Sequence, residues 1–188
     1  MATVPEMKSD VVNVLVLVGS LRAQSVNRQL AEVAIANAPA GVRLQLFDRL
    51  GDLPFYNEDI DIEPAPEAVQ ALRDAAAEAD AVLVVTPEYN GSIPGVLKNA
   101  IDWVSRPYGN GALKGKPAAI IGAALGQYGG VWGHEETRKS FGIAGPRVVG
   151  SISLSIPTKT LDGKHPRESA EVVGKVCEVV EKLVAEVG

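Results

Sequence analysis

Apolar and polar positions follow two rhythms along the chain. Short runs rich in β-branched residues recur at 11–18 (VVNVLVLV), 42–47 (VRLQLF), 81–85 (AVLVV), 118–123 (AAIIGA) and 147–154 (RVVGSISL). Between them, apolar residues return every three or four positions. These are Leu30, Val33, Ala34 and Ala38 in 26–38; Val69, Leu72, Ala76 and Ala79 in 66–79; and Val96, Leu97, Ala100, Ile101 and Val104 in 94–104. A further stripe joins Val172, Val173, Val176, Val180, Leu183, Val184 and Val187. The first rhythm predicts strands and the second helices. Strands alternating with helices give βαβ units and a parallel sheet. Strands that are apolar at nearly every position ask for helices on both faces. Five such strands fit the doubly wound order 2-1-3-4-5, in which ligands bind beyond the carboxyl ends of the strands, where the order reverses.

No repeat, low-complexity tract or linker divides the 188 residues, so a single α/β domain over 1–188 is expected, with 1–10 as a flexible N-terminal extension. The stretch 48–64 (DRLGDLPFYNEDIDIEP) carries Leu53, Phe55, Tyr56 and Ile60, which suits a functional or interface loop. A net charge of −5 gives no electrostatic reason to bind nucleic acid or an anionic membrane. The first apolar run is too short to cross a bilayer, and the residues before it lack a basic signal-peptide start. A cytoplasmic protein without membrane insertion is expected. Cys177 is the one cysteine, so no intrachain disulfide can form. With only His134 and His165 beside it, no metal site is expected, and both histidines are expected at the surface.

Three loops carry the candidate chemistry. Residues 19–28, GSLRAQSVNR, follow the first strand and open the first helix. Backbone amides at such a terminus attract anions. Ser20, Ser25 and Asn27 can donate hydrogen bonds there, and Arg22 can fork onto a phosphate. The loop has neither GxGxxG nor GxxxxGK[ST], so a single terminal phosphate, as in FMN, fits better than a dinucleotide or a nucleoside triphosphate. Ser25 also stands where a helix cap would. The second loop, TPEYNGSIPG at 86–95, ends the third strand. Pro87 stiffens its exit, Glu88 to Asn90 offer backbone donors and acceptors, and Tyr89 offers a flat apolar face, a combination that suits a planar heteroaromatic ring. Asn90-Gly91 is equally an ordinary turn pair. The third loop, GAALGQYGGVWG at 122–133, has five glycines in twelve residues, including Gly126. It can approach a ligand closely or simply be mobile.

GSLRAQSVNR, TPEYNGSIPGVLKNAIDW (86–103) and LKGKPAAIIGAALGQYGG (113–130) resemble the flavodoxin-like NAD(P)H-dependent FMN reductases, among them soluble quinone reductases, chromate reductases and azoreductases. The resemblance runs from the first strand to about residue 150. It implies a flavodoxin-like sheet and non-covalent FMN, with NAD(P)H as co-substrate and a quinone or similar acceptor. Free flavin, azo compounds and chromate are further acceptors of the family. Carried over by position, the phosphate loop is Ser20, Leu21, Arg22, Ala23, Gln24, Ser25, Val26 and Asn27. The ring segment is Pro87, Glu88, Tyr89 and Asn90. Ala123 and Gly126 are further contacts, with Ala123 standing where relatives often carry Ser. Relatives form homodimers, often paired into homotetramers, with the LKNAIDW helix near the contact. The surplus apolar positions of 94–104 suit such a contact. No residue is expected to act as a catalytic acid or base, because the flavin carries the chemistry. The competing reading is a flavodoxin-type electron carrier without turnover of its own, although GSLRAQSVN lacks the Thr/Ser-Gly-Thr pattern typical of such carriers.

Overall fold

Residues 11–188 are described by the computed structural model; the segment 1–10, expected to be a flexible extension, lies outside the described residues. The sheet is built on β1 (Val12–Val18), which pairs in parallel with β2 (Val42–Phe47) on one side and β3 (Ala81–Val85) on the other. β4 (Pro117–Ala124) follows β3, and β5 (Arg147–Pro157) closes the far edge. The order is β2-β1-β3-β4-β5, all parallel, as the alternation of apolar runs predicts.

Consecutive strand residues point to opposite faces, so each unbroken apolar run feeds two cores. Val14, Val16, Leu83, Val85 and Ile121 pack beneath α1 (Val26–Ala36) and α5 (Ala170–Ala185), meeting Leu30, Val33, Val176, Val180 and Leu183. Leu15, Leu17, Val82, Val84 and Ile120 pack on the other face, under α2 (Glu67–Glu78), α3 (Gly95–Val104) and α4 (Val131–Ala144). Pro94 stands immediately before α3, where its missing N–H costs nothing.

Three features differ from the sequence expectation. Helix α4 has no apolar stripe to announce it: its buried positions are Gly133, His134, Thr137 and Phe141. β5 runs on to Pro157 because its pairing with β4 shifts between Ala118 and Ile120. Ala118 faces Val148, whereas Ile120 faces Ser153, so the edge strand bulges.

The third difference concerns α3. Leu97, Ala100, Ile101, Trp103 and Val104 are all buried by the chain itself, so they leave no second stripe for a partner. The segment after β2 supplies the cover. The Trp103 indole N–H donates to the Pro54 carbonyl at 2.7 Å, and Tyr56 packs edge-on against the indole ring. Asn99 accepts from the Tyr56 N–H at 2.8 Å and donates to the Pro54 carbonyl at 2.9 Å. Leu53 is buried beneath this strap, whereas Phe55 is 87% exposed.

Candidate functional site

The carboxyl ends of β1, β3 and β4 open on one side of the sheet, and the three loops meet there around a cavity of about 430 Å3. Ser20, Arg22, Ser25, Val26 and Asn27 line it from the first loop, Pro87, Glu88 and Tyr89 from the second, and Ala123 and Gly126 from the third. Four other candidates stand apart from the lining. Leu21 lies over Gly51, Gln24 faces an adjoining recess with Lys164 and His165, and Ala23 and Asn90 are exposed. Three residues not singled out in the sequence complete the wall: Ala124, Leu125 and Thr158. Thr158 follows β5, and nothing in its local sequence marks it; the bulge that lengthens β5 brings it there.

The first loop is shaped for an anion. Ser25 is the N-cap of α1, and its hydroxyl accepts from the Asn27 N–H at 3.2 Å. The amides of Ser20 to Gln24 have no backbone partner among the described residues. The Arg22 side chain is exposed and pairs with no carboxylate among the described residues. Unpaired amides, a helix N-terminus and a free guanidinium on one rim form an anion cradle.

Asn27 plays a different part from the one its position suggests. It is buried, and its amide is spent on Ala123, donating to the carbonyl at 2.9 Å and accepting from the N–H at 2.8 Å. This pair clamps the start of α1 to the end of β4. The N–H and carbonyl of Ala123 are therefore both taken.

In the second loop, Asn90 and Gly91 both adopt positive φ, 53° and 72°, and Tyr89 and Ser92 exchange backbone hydrogen bonds at 3.1 and 3.0 Å. This is the tight reversal that Asn-Gly favours. It leaves Tyr89 52% exposed on the cavity lining, which the exposed Leu125 shares. Glu88 turns the other way: its carboxylate accepts from the Gly133 N–H at 2.9 Å, in the first turn of α4, where a negative charge suits the helix dipole. That carboxylate is therefore a structural cap.

His134 is the clearest departure from expectation. It is fully buried, not at the surface. Its Nε2 lies 2.9 Å from the Thr86 carbonyl and its Nδ1 2.7 Å from the Ser155 hydroxyl. A carbonyl can only accept, so Nε2 carries the proton and Nδ1 accepts from Ser155. Burial pushes the His134 pKa below its ordinary value, with the Arg138 charge acting in the same direction. The bond to the Thr86 carbonyl and the charges of Glu88 and Glu135 oppose this. His165 is half-buried, and its Nδ1 accepts from the Arg167 N–H at 3.1 Å. Among the described residues, no cluster of His, Cys, Asp and Glu could hold a metal ion.

The cavity suits a flavin mononucleotide on its own evidence. Its volume falls within the roughly 300–1,000 Å3 of small-molecule sites. The anion cradle stands at one side and the apolar faces of Tyr89 and Leu125 at the mouth. The Thr158 hydroxyl, on the wall, is buried without a hydrogen-bond partner. Buried hydroxyls are seldom left unpaired, and a polar ligand would supply the missing partner.

Known proteins agree with this geometry. Residues 12–160 match the model of a family described as NADPH-dependent FMN reductase. A quinone reductase of Pseudomonas putida is 48% identical over 132 residues, 70% of each chain. A 2-hydroxy-1,4-benzoquinone reductase of a Burkholderia species is 48% identical over 116 residues, 62% of each. Among solved structures, the FerB flavoenzyme, an NAD(P)H:(acceptor) oxidoreductase of Paracoccus denitrificans, superposes with a TM-score of 0.79 at 36% identity, covering 94% of this chain and 99% of that one. With a cradle, a flat mouth and a match over most of its length, the chain belongs to the NADPH-dependent FMN reductase family.

Proposed function

We propose that the protein is an FMN-dependent oxidoreductase that moves reducing equivalents from NAD(P)H to quinones or similar acceptors. The observation that carries this reading is the convergence of an unpaired anion cradle and a flat, apolar-lipped cavity at the carboxyl ends of β1, β3 and β4. Bound FMN supplies the hydride-accepting ring, and the protein supplies position and electrostatics. Arg22, the Ser25 hydroxyl proton and the amides of Ser20 and Arg22 would hold the phosphate. The Thr158 hydroxyl would meet a polar group of the ligand within the cavity. Pro87, the Glu88 backbone and Ala123 would form the wall for the ring, with Tyr89, Leu125 and Gly126 at the opening.

Glu88 is spent on Gly133 and His134 is closed off between Thr86 and Ser155, so neither side chain is assigned acid–base work in this reading. The protein's task is therefore to bind, orient and admit two substrates in turn. A carrier role gains no support from the relatives named above, which are reductases.

The same reading includes a cytoplasmic homodimer or homotetramer. Among the described residues no helix is long and apolar enough to cross a membrane, and the one cysteine excludes an intrachain disulfide. Exposed apolar side chains outside the cavity lining, among them Phe55, Ile62, Tyr108, Tyr128, Trp132 and Ile143, would be available for a subunit contact. Heat release of the pigment from purified protein, followed by mass analysis, tests the cofactor. FMN is expected, whereas FAD or no flavin would overturn the reading.

A further inference from the structure

The stretch GGVWGHEE, residues 129–136, is unused by the cavity lining, yet it packs closely against the loop that follows β3. The first turn of α4 lies directly on the loop that follows β3. A Cβ at Gly133 would stand 3.0 Å from the Glu88 Cβ and 3.0 Å from the Ser92 carbonyl, so any larger residue would push the two segments apart by a few tenths of an ångström. The Gly133 N–H reaches the Glu88 carboxylate at 2.9 Å, and one residue on, His134 reaches Thr86.

Thr86 is the first residue beyond β3, and it is fully buried. Its N–H still joins the sheet, donating to the Ile121 carbonyl at 2.9 Å. Its carbonyl has left the ladder, and the His134 imidazole is its hydrogen-bond partner. An apolar side chain of similar volume would fill the same space but leave that carbonyl buried and unpaired, which is costly. The next residue is Pro87, which begins the cavity wall. On its other nitrogen the ring holds Ser155, three residues before Thr158 on the same wall.

We propose that His134 is a positioning residue of the cofactor cavity: its Nε2–H fixes the Thr86–Pro87 peptide, and through it the wall from Pro87 to Tyr89. The inference rests on the reading of the cavity as the FMN site. The imidazole touches neither cofactor nor substrate; it sets the place of the segment that does. The Thr86 bond transmits the position; the Ser155 bond satisfies the ring's other nitrogen.

Two substitutions separate positioning from mere packing. In His134→Gln the side-chain amide nitrogen extends about as far as Nε2 and can still donate to the Thr86 carbonyl. In His134→Asn it extends only about as far as Nδ1, serves Ser155 and leaves Thr86 unpaired. Apoprotein of each variant is titrated with FMN by fluorescence quenching, and its melting temperature is recorded. Both variants are expected to melt below wild type. The Gln variant should bind FMN within about twofold of wild type and the Asn variant about five- to tenfold more weakly, the loss of one buried hydrogen bond. Equal weakening in both, or unchanged binding in both, would overturn the proposal and leave His134 a packing residue. Ser155→Ala keeps the Thr86 bond and spares the core, so it tests the route through Thr86 even where the histidine variants do not fold. FMN affinity within about twofold of wild type supports the proposal, and a loss of about five- to tenfold overturns it. Failure of the wild-type apoprotein to bind FMN would overturn the cofactor reading itself, and the proposal with it.

Discussion

Replacing Arg22 with alanine removes a cation that the fold does not use. The side chain is exposed and forms no ion pair among the described residues, so its loss leaves no partner stranded and no cavity behind. Surface substitutions of this kind usually change stability by less than about 0.5 kcal/mol, and the melting temperature of the apoprotein should hold. Binding should not. A charge-assisted hydrogen bond to a phosphate contributes about 1.5–3 kcal/mol, which corresponds to about 10- to 150-fold in affinity. Because Arg22 sits on the open rim, solvent and salt screen it, and the lower end applies: about tenfold at ionic strength near 0.15 M, where the Debye length is about 8 Å. Titrating apoprotein with FMN by fluorescence at several salt concentrations gives the ratio of the two dissociation constants. That ratio should shrink as salt rises. An unchanged dissociation constant at low salt would show that Arg22 does not meet the phosphate, and the cradle would have to rest on the amides alone.

Three further outcomes follow from the same geometry. Asn27→Ala breaks the clamp onto Ala123 and leaves a buried N–H unpaired, so stability should fall by about 1–3 kcal/mol, read as a lower denaturation midpoint; an unchanged midpoint would mean that α1 and β4 are held otherwise. Since burial lowers the His134 pKa in the folded protein while the unfolded chain protonates near its ordinary value, the unfolded state binds more protons as pH falls below about 6.5. Apoprotein stability should therefore decline from pH 7 towards pH 5, with a shallower slope in His134→Gln; equal slopes would assign the acid loss to other groups. Because one cavity must serve both substrates in turn, steady-state kinetics with NAD(P)H and a benzoquinone should give parallel double-reciprocal lines, and intersecting lines would reveal a second site.

The sheet and four of its helices are legible in the chain because strand runs and helical stripes are built from the same apolar residues that fill the two cores. Helix α4 is not, for a physical reason. It buries Gly133, His134, Thr137 and Phe141, spaced as a helix requires but mostly small or polar, so no hydrophobic rhythm marks it. The same chemistry hides His134, whose setting in GHEETRK reads as solvated surface; what buries it is the close approach that Gly133 allows. The apolar surplus of α3 is visible in sequence, but its partner is the chain's own strap around Pro54 and Tyr56. Among the cavity residues, the three loops announce themselves by composition. The division of labour within them does not, since only the fold turns Asn27 onto Ala123 and Glu88 onto Gly133. Thr158 reaches the wall through a bulge that no local pattern encodes.

The central claim is that one cofactor in this cavity carries electrons between two substrates. An anaerobic experiment on the purified holoprotein tests it most directly. NAD(P)H is added to the protein, the excess is removed, and a benzoquinone follows, with the flavin absorbance band recorded throughout. The account predicts that the nucleotide bleaches the band and that the quinone restores it in full, with one quinone reduced per flavin. A band that NAD(P)H leaves unchanged, or one that bleaches and does not return with quinone, would contradict it.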